Sequence, residues 1–126
     1  MIDLLLKAGS FLINFFKFKS EKDDGKREII VNLLVGMSEL IEDVIFDLEN
    51  DNFPEDMSDQ IIYTSTELVK ALKGLVDEDD LKFLDFNKKT SILILELYES
   101  RKDIEEIYKL QKASGYYKAS AIMASI

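Results

Sequence analysis

The chain has 126 residues, of which 47% are hydrophobic and 33% charged, with a formal net charge of −9 and neither cysteine nor histidine. Those absences exclude thiol nucleophiles, imidazole general bases, disulfides and every metal site that needs a Cys or His ligand. The mixture is that of a globular chain, so a single domain over 1–126 is expected, with a radius of gyration of roughly 14 Å.

One proline, five glycines and no Asn-Gly or Asp-Gly turn leave little punctuation for a sheet. In the first segment Asp3, Lys7, Ser10, Asn14 and Lys17 recur at steps of four and three, which predicts a helix with one narrow polar stripe. Its phenylalanines, Phe11, Phe15, Phe16 and Phe18, are expected to form an apolar interface, either the core or a contact for self-association. Exposing all four would forgo roughly 6–12 kcal/mol, as much as a whole domain's stability. Asp3, Lys7 and Asn14 argue against a transmembrane span or a signal peptide. Residues 20–27 read as a polar loop around Gly25.

A second helix is predicted from about 27 to 50 with the apolar stripe Ile30, Leu34, Met37, Ile41, Val44 and Leu48. Pro54 then marks the start of a third, as a first-turn residue behind a cap at Asn52 or Phe53, running to Gly74 or Leu75. Asp77 is placed to cap a short helix ending near Phe86. From Thr90 a long fourth helix is predicted, with Leu93, Leu97, Arg101, Ile104, Tyr108 and Gln111 near one line, followed by a small apolar tail from Gly115. The expected fold is all-α: an antiparallel four-helix bundle with a short extra helix before the last long one and an apolar C-terminal tail.

Two glutamate pairs, Glu39-x-x-Glu42 and Glu96-x-x-Glu99, each share a helix face. Such pairs are similar to the magnesium-holding glutamates of all-α nucleotide pyrophosphohydrolases, and the resemblance implies a magnesium-dependent hydrolase. It stops at the pairs, because only Asp56-x-x-Asp59 follows where that family has a Glu-x-x-Asp and no base set for phosphates accompanies it. The run Asp77-Glu78-Asp79-Asp80 lacks the spacers, the central glycine and the distant glutamate of a calcium loop. No catalytic residue, metal site or cofactor is therefore expected.

Charge is distributed unevenly. Residues 1–27 carry six bases and four acids, residues 28–69 eleven acids and no base, and residues 70–126 ten of each. The excess forms an expected acidic pole of Glu42, Asp43, Asp47, Glu49, Asp51, Glu55, Asp56 and Asp59. Acids at the start of the third helix are favoured by its dipole, but Asp47, Glu49 and Asp51 crowd the end of the second, where the dipole disfavours them. Local rules broken in this way point to function, unless lysines at 17–27 or Lys88 and Lys89 neutralise the pole.

The expectation is a non-enzymatic interaction module, an adaptor, accessory subunit or inhibitor. Its acidic pole would meet another protein with a basic surface, and helix one or the tail would add apolar contact. Self-association is a further possibility, direct nucleic-acid binding is not expected, and a chain free of disulfides fits the cytoplasm. The alternatives are an acidic nucleic-acid mimic, the hydrolase above, and a peripheral membrane binder through helix one, whose polar stripe is narrow and weakly basic for that role.

Overall fold

A computed structural model describes residues 1–18, 24–86 and 90–126. Six helices follow in order: α1 (Ile2–Phe18), α2 (Asp24–Glu49), α3 (Glu55–Leu72), α4 (Glu78–Leu84), α5 (Thr90–Ser100) and α6 (Ile104–Ser125). The protein is all-helical among the described residues. None of those helices is long and apolar enough to cross a membrane.

The stripe expected of α2 is its buried face: Ile30, Leu34, Met37, Ile41, Val44 and Leu48 are all in the core. In α1, Asp3, Lys7, Asn14 and Lys17 face solvent while Ile2, Leu5, Ala8 and Leu12 are buried, as a single polar stripe requires. Phe11, Phe15 and Phe16 are half-buried and pack against the core, Phe15 lying edge-on to Phe16 with ring centroids 5.0 Å apart. The side chain of Phe18 lies outside the described set.

Several expected boundaries move. Helix α2 begins at Asp24, so 24–27 are helical and not loop, while 20–23 and Asn87 lie outside the described residues. Pro54 is itself the cap of α3, its carbonyl accepting from the Ser58 N–H at 3.1 Å, one position earlier in role than expected. Asp77 does cap α4, its side chain accepting from the Asp79 N–H at 3.3 Å.

The predicted fourth helix is two helices. It breaks at Arg101 and Lys102, where the Asp103 side chain accepts from the N–H groups of Glu105 and Glu106 and starts α6. With Glu106 three residues beyond the cap, the run has the acidic signature of a new helix start. The break changes the phase, so Leu93 and Leu97 stay buried while Ile104, Tyr108 and Gln111 face water. The supposed tail from Gly115 is the second half of α6, and its Tyr117, Ser120 and Ala121 are buried, as are Ala113 and Ser114 just before it.

Helix α6 packs between α1 and α2, α2 packs on α3, and α4 and α5 reach from α3 back to α1. Helices α1 and α6 run parallel: Lys109 Nζ meets Asp3 Oδ1 at 3.1 Å near their starts, and Gly9 faces Ala113 and Tyr116 further along. Lys109 holds the Asp3 carboxyl below the usual carboxylate range through that hydrogen bond. Helices α2 and α3 run antiparallel, with Lys26 Nζ at one end donating to the Lys73 carbonyl at 3.3 Å. Phe53, in the α2–α3 turn, stacks edge-on against Tyr98 near the end of α5. The end of α2 and the starts of α3 and α6 therefore share one end of the molecule.

Close approach of α1 to α6 depends on Gly9. A Cβ there would lie 3.0 Å from the Tyr116 Cβ and 3.4 Å from the Ala113 carbonyl. Gly9→Val is expected to cost roughly 1–3 kcal/mol by overpacking. Gly36→Ala, whose Cβ meets nothing within 4 Å, is expected to add up to about 1 kcal/mol of helix propensity. Urea unfolding of both variants measures the contrast.

Candidate functional site

The acidic pole is built around the turn that ends α2. The Asn52 N–H bonds the Asp47 carbonyl at 2.8 Å and the Asp51 N–H bonds the Leu48 carbonyl at 3.3 Å, the pair of bonds that closes a helix in a Schellman motif. Asp51 occupies the left-handed position of that motif with φ 60°, where glycine is the unstrained choice. No basic residue stands in the last turn of α2, so the carbonyl end of its dipole faces Asp47, Glu49 and Asp51 unrelieved. Glu55 and Asp56 sit in the first turn of α3, where the dipole favours them.

Seven of the eight expected acids are exposed and Asp47 is half-buried. Among the described residues none of them is ion-paired. The described pairs lie elsewhere, joining Met1 to Glu96, Lys70 to Glu67, and Lys109 to Asp3 and Glu106. Among the described residues Glu42 is the one acid of the pole whose side chain is bonded to the fold, accepting from Ser114 Oγ at 3.2 Å. Lys19, Lys22, Lys88 and Lys89, considered above as neutralising groups, lie outside the described residues.

Two aromatic rings stand within the pole. Phe46 is 64% exposed, on the outward face of α2 with Glu42 and Asp43 one turn before it and Glu49 one turn after. Phe53 is 44% exposed and packs edge-on against Tyr98 at 5.8 Å. Arg101 lies over the other ring of that pair, 4.2 Å from the Tyr98 centroid, at this margin of the pole. Phe46 was missed in reading the sequence, although its position off the stripe 30-34-37-41-44-48 already turns it away from the core.

The surfaces expected to add apolar contact are not beside the acids. Phe11, Phe15 and Phe16 lie in the second half of α1, and Phe11 and Phe15 line an open groove of ≈ 470 Å³ with Leu75, Val76, Asp77 and Asp80. Ile122, Met123 and Ile126 are exposed at the end of α6. A 22-residue helix is about 33 Å long, so those residues are some 30 Å from the end where the α2–α3 turn sits.

The paired glutamates are separated by their environments. Glu42 is bonded to Ser114, whereas Glu96 takes the Met1 ammonium at 2.6 Å and the Ile2 N–H at 2.8 Å, leaving Glu99 exposed. Among the described residues no three acids converge as a metal site would require.

Comparison with protein-family models, curated proteins and solved structures finds no match. The class of the protein is therefore stated from its own architecture: all-helical, with six helices among the described residues and an acidic, aromatic-bearing end.

Proposed function

We propose that the chain is a non-enzymatic docking module, an adaptor, accessory subunit or inhibitor, whose acidic pole receives a basic surface of another protein. It works in the cytoplasm without a cofactor, and its four long helices α1, α2, α3 and α6 make a bundle closed by α4 and α5, with the neighbours α1 and α6 parallel where an antiparallel arrangement was expected. The observation that carries the reading is the exposure of Phe46 and Phe53 among acids that form no ion pair among the described residues. Solvation accounts for the exposed carboxylates, and the two rings among them offer a partner apolar surface to bury within the charged pole.

Division of labour follows from range. Screened over about 8 Å at physiological salt, the carboxylates guide the encounter, while burial of the rings sets how long the complex lasts. The rings also favour a protein partner over mimicry of nucleic acid, because a phosphate backbone offers no counterpart to them.

Affinity capture at two salt concentrations tests this. A partner is expected to be retained at 50 mM salt, released at 500 mM, and lost when Asp47→Lys is combined with Glu49→Lys. Retention by that double variant, or retention indifferent to salt, removes the pole as the site.

A further inference from the structure

We infer that the partner presents a basic amphipathic helix, and that this helix lies along the outer groove between α2 and α6. The inference rests on the docking reading above and gives that docking an address and an occupant.

The groove follows from the hydrogen bonds that join its walls. Ser38 Oγ lies 3.0 Å from Ser114 Oγ, and Ser114 Oγ lies 3.2 Å from Glu42 Oε1. These bonds fix which side of each helix faces the other. On α2 the ladder through Ser38 and Glu42 at steps of three and four is Val35, Glu39, Glu42, Phe46 and Glu49; on α6 the ladder through Ser114 is Ile104, Gln111, Lys118 and Ile122. Because α2 and α6 run oppositely, Phe46 and Ile104 lie about 12 and 15 Å from the serine pair in the same direction, at 1.5 Å per residue. Val35 and Ile122 lie on the other side of it.

The groove thus has apolar contacts at both ends, with the exposed polar side chains Glu39, Glu42 and Gln111 beside the buried serine pair at its middle. Ile104 is 84% exposed, Ile122 57% and Phe46 64%, and the space over Gly115 is open, with nothing within 4 Å of where its Cβ would stand. Apolar anchors spread over the 19 residues from Ile104 to Ile122 suit a helix of about five turns with anchors at i, i+3/i+4 and i+7 spacing. The charge selects its sign. Glu39, Glu42 and Glu49 line the α2 wall, and Lys118 stands at the opposite end, so the bases of the docked helix belong at the Phe46 end.

Two synthetic 18-residue probes of equal positive charge test the inference by fluorescence anisotropy at 50 mM salt. One is an amphipathic Leu/Lys helix and the other a polar Gln/Lys helix. The amphipathic probe is expected to bind at least tenfold more tightly, and Phe46→Ser with Ile104→Ser is expected to bring it to the level of the polar probe. Tyr63→Ser, at an exposed position on α3, is expected to leave the difference intact. Because these side chains face water, circular dichroism of the variants should match the parent.

Equal binding of both probes, lost in the Asp47→Lys, Glu49→Lys variant, would overturn the groove and leave the pole standing. Binding of neither probe would overturn both readings. A dimer in sedimentation equilibrium that Phe46→Ser dissolves, or co-sedimentation with anionic vesicles that it abolishes, would assign the groove to a second copy or to a lipid surface and overturn the inference.

Discussion

Tyr117→Ala is expected to destabilise the protein by about 3–5 kcal/mol, the cost of deleting a large buried aromatic side chain, and urea unfolding measures it. Tyr117 is among the largest fully buried side chains and lies in the helix that separates α1 from α2. Its ring lies 3.4 Å from where a Gly9 Cβ would stand, so its removal opens a void in the tightest helix contact of the fold. Against a total of about 5–15 kcal/mol for a domain, that loss removes a large part of the stability. A tail that merely covered a surface would lose far less.

The same residue sets a pH limit. Burial pushes the Tyr117 phenol well above its ordinary value, so the folded chain holds a proton that the unfolded chain releases near pH 10. The associated stability is fully present below the unfolded pKa and falls as pH rises above it toward the folded one. Tyr117→Phe is expected to flatten this alkaline decline relative to the parent, read as the urea midpoint between pH 9 and 11.

Glu96→Ala is expected to cost about 2–3 kcal/mol, on the scale of lost hydrogen bonds to charged groups. The first N–H groups of any helix lack partners within it, and at the start of α1 the carboxylate of Glu96 serves one of them, Ile2 N–H at 2.8 Å, while pairing with the Met1 ammonium. Glu96→Gln keeps an acceptor for the N–H and is expected to lose less. Urea midpoints of the two variants separate the hydrogen bond from the charge. Equal stability of both variants and the parent would mean that this tie between α1 and α5 does not hold the two helices together.

What could be read in advance depended on whether the determining contacts are local. The buried face of α2 was legible because six apolar residues at helical spacing need no partner to be recognised, and the Asp77 cap because its bond spans two residues. The break before α6 was signalled by Asp103 and Glu106, but Arg101 and Lys102 are good helix formers and the apolar line ran across them. The core role of 113–121 was hidden for another reason. Its small side chains work by letting helices approach, and the glycine that completes the contact lies about a hundred positions away in α1.

The candidate site was half legible. Its acids stand out in a stretch free of bases, and the clash of Asp47, Glu49 and Asp51 with the α2 dipole follows from sequence order alone. The apolar component was assigned to helix one and the tail because their composition is the most apolar. Helix length places the end of α6 far from the acids, and Phe46 and Phe53, two isolated aromatics in a polar stretch, are the exposed rings that stand among them.

The central proposal is that the pole is held open for a partner and is not neutralised by the described residues. Unfolding of the Asp47→Lys, Glu49→Lys double variant at low salt tests it without a partner. Removing two carboxylates from the carbonyl end of α2 and supplying two cations should raise stability by about 1 kcal/mol, with the gain shrinking as salt is added. A loss of similar size would mean that the carboxylates are already paired inside the protein, and would contradict the docking account.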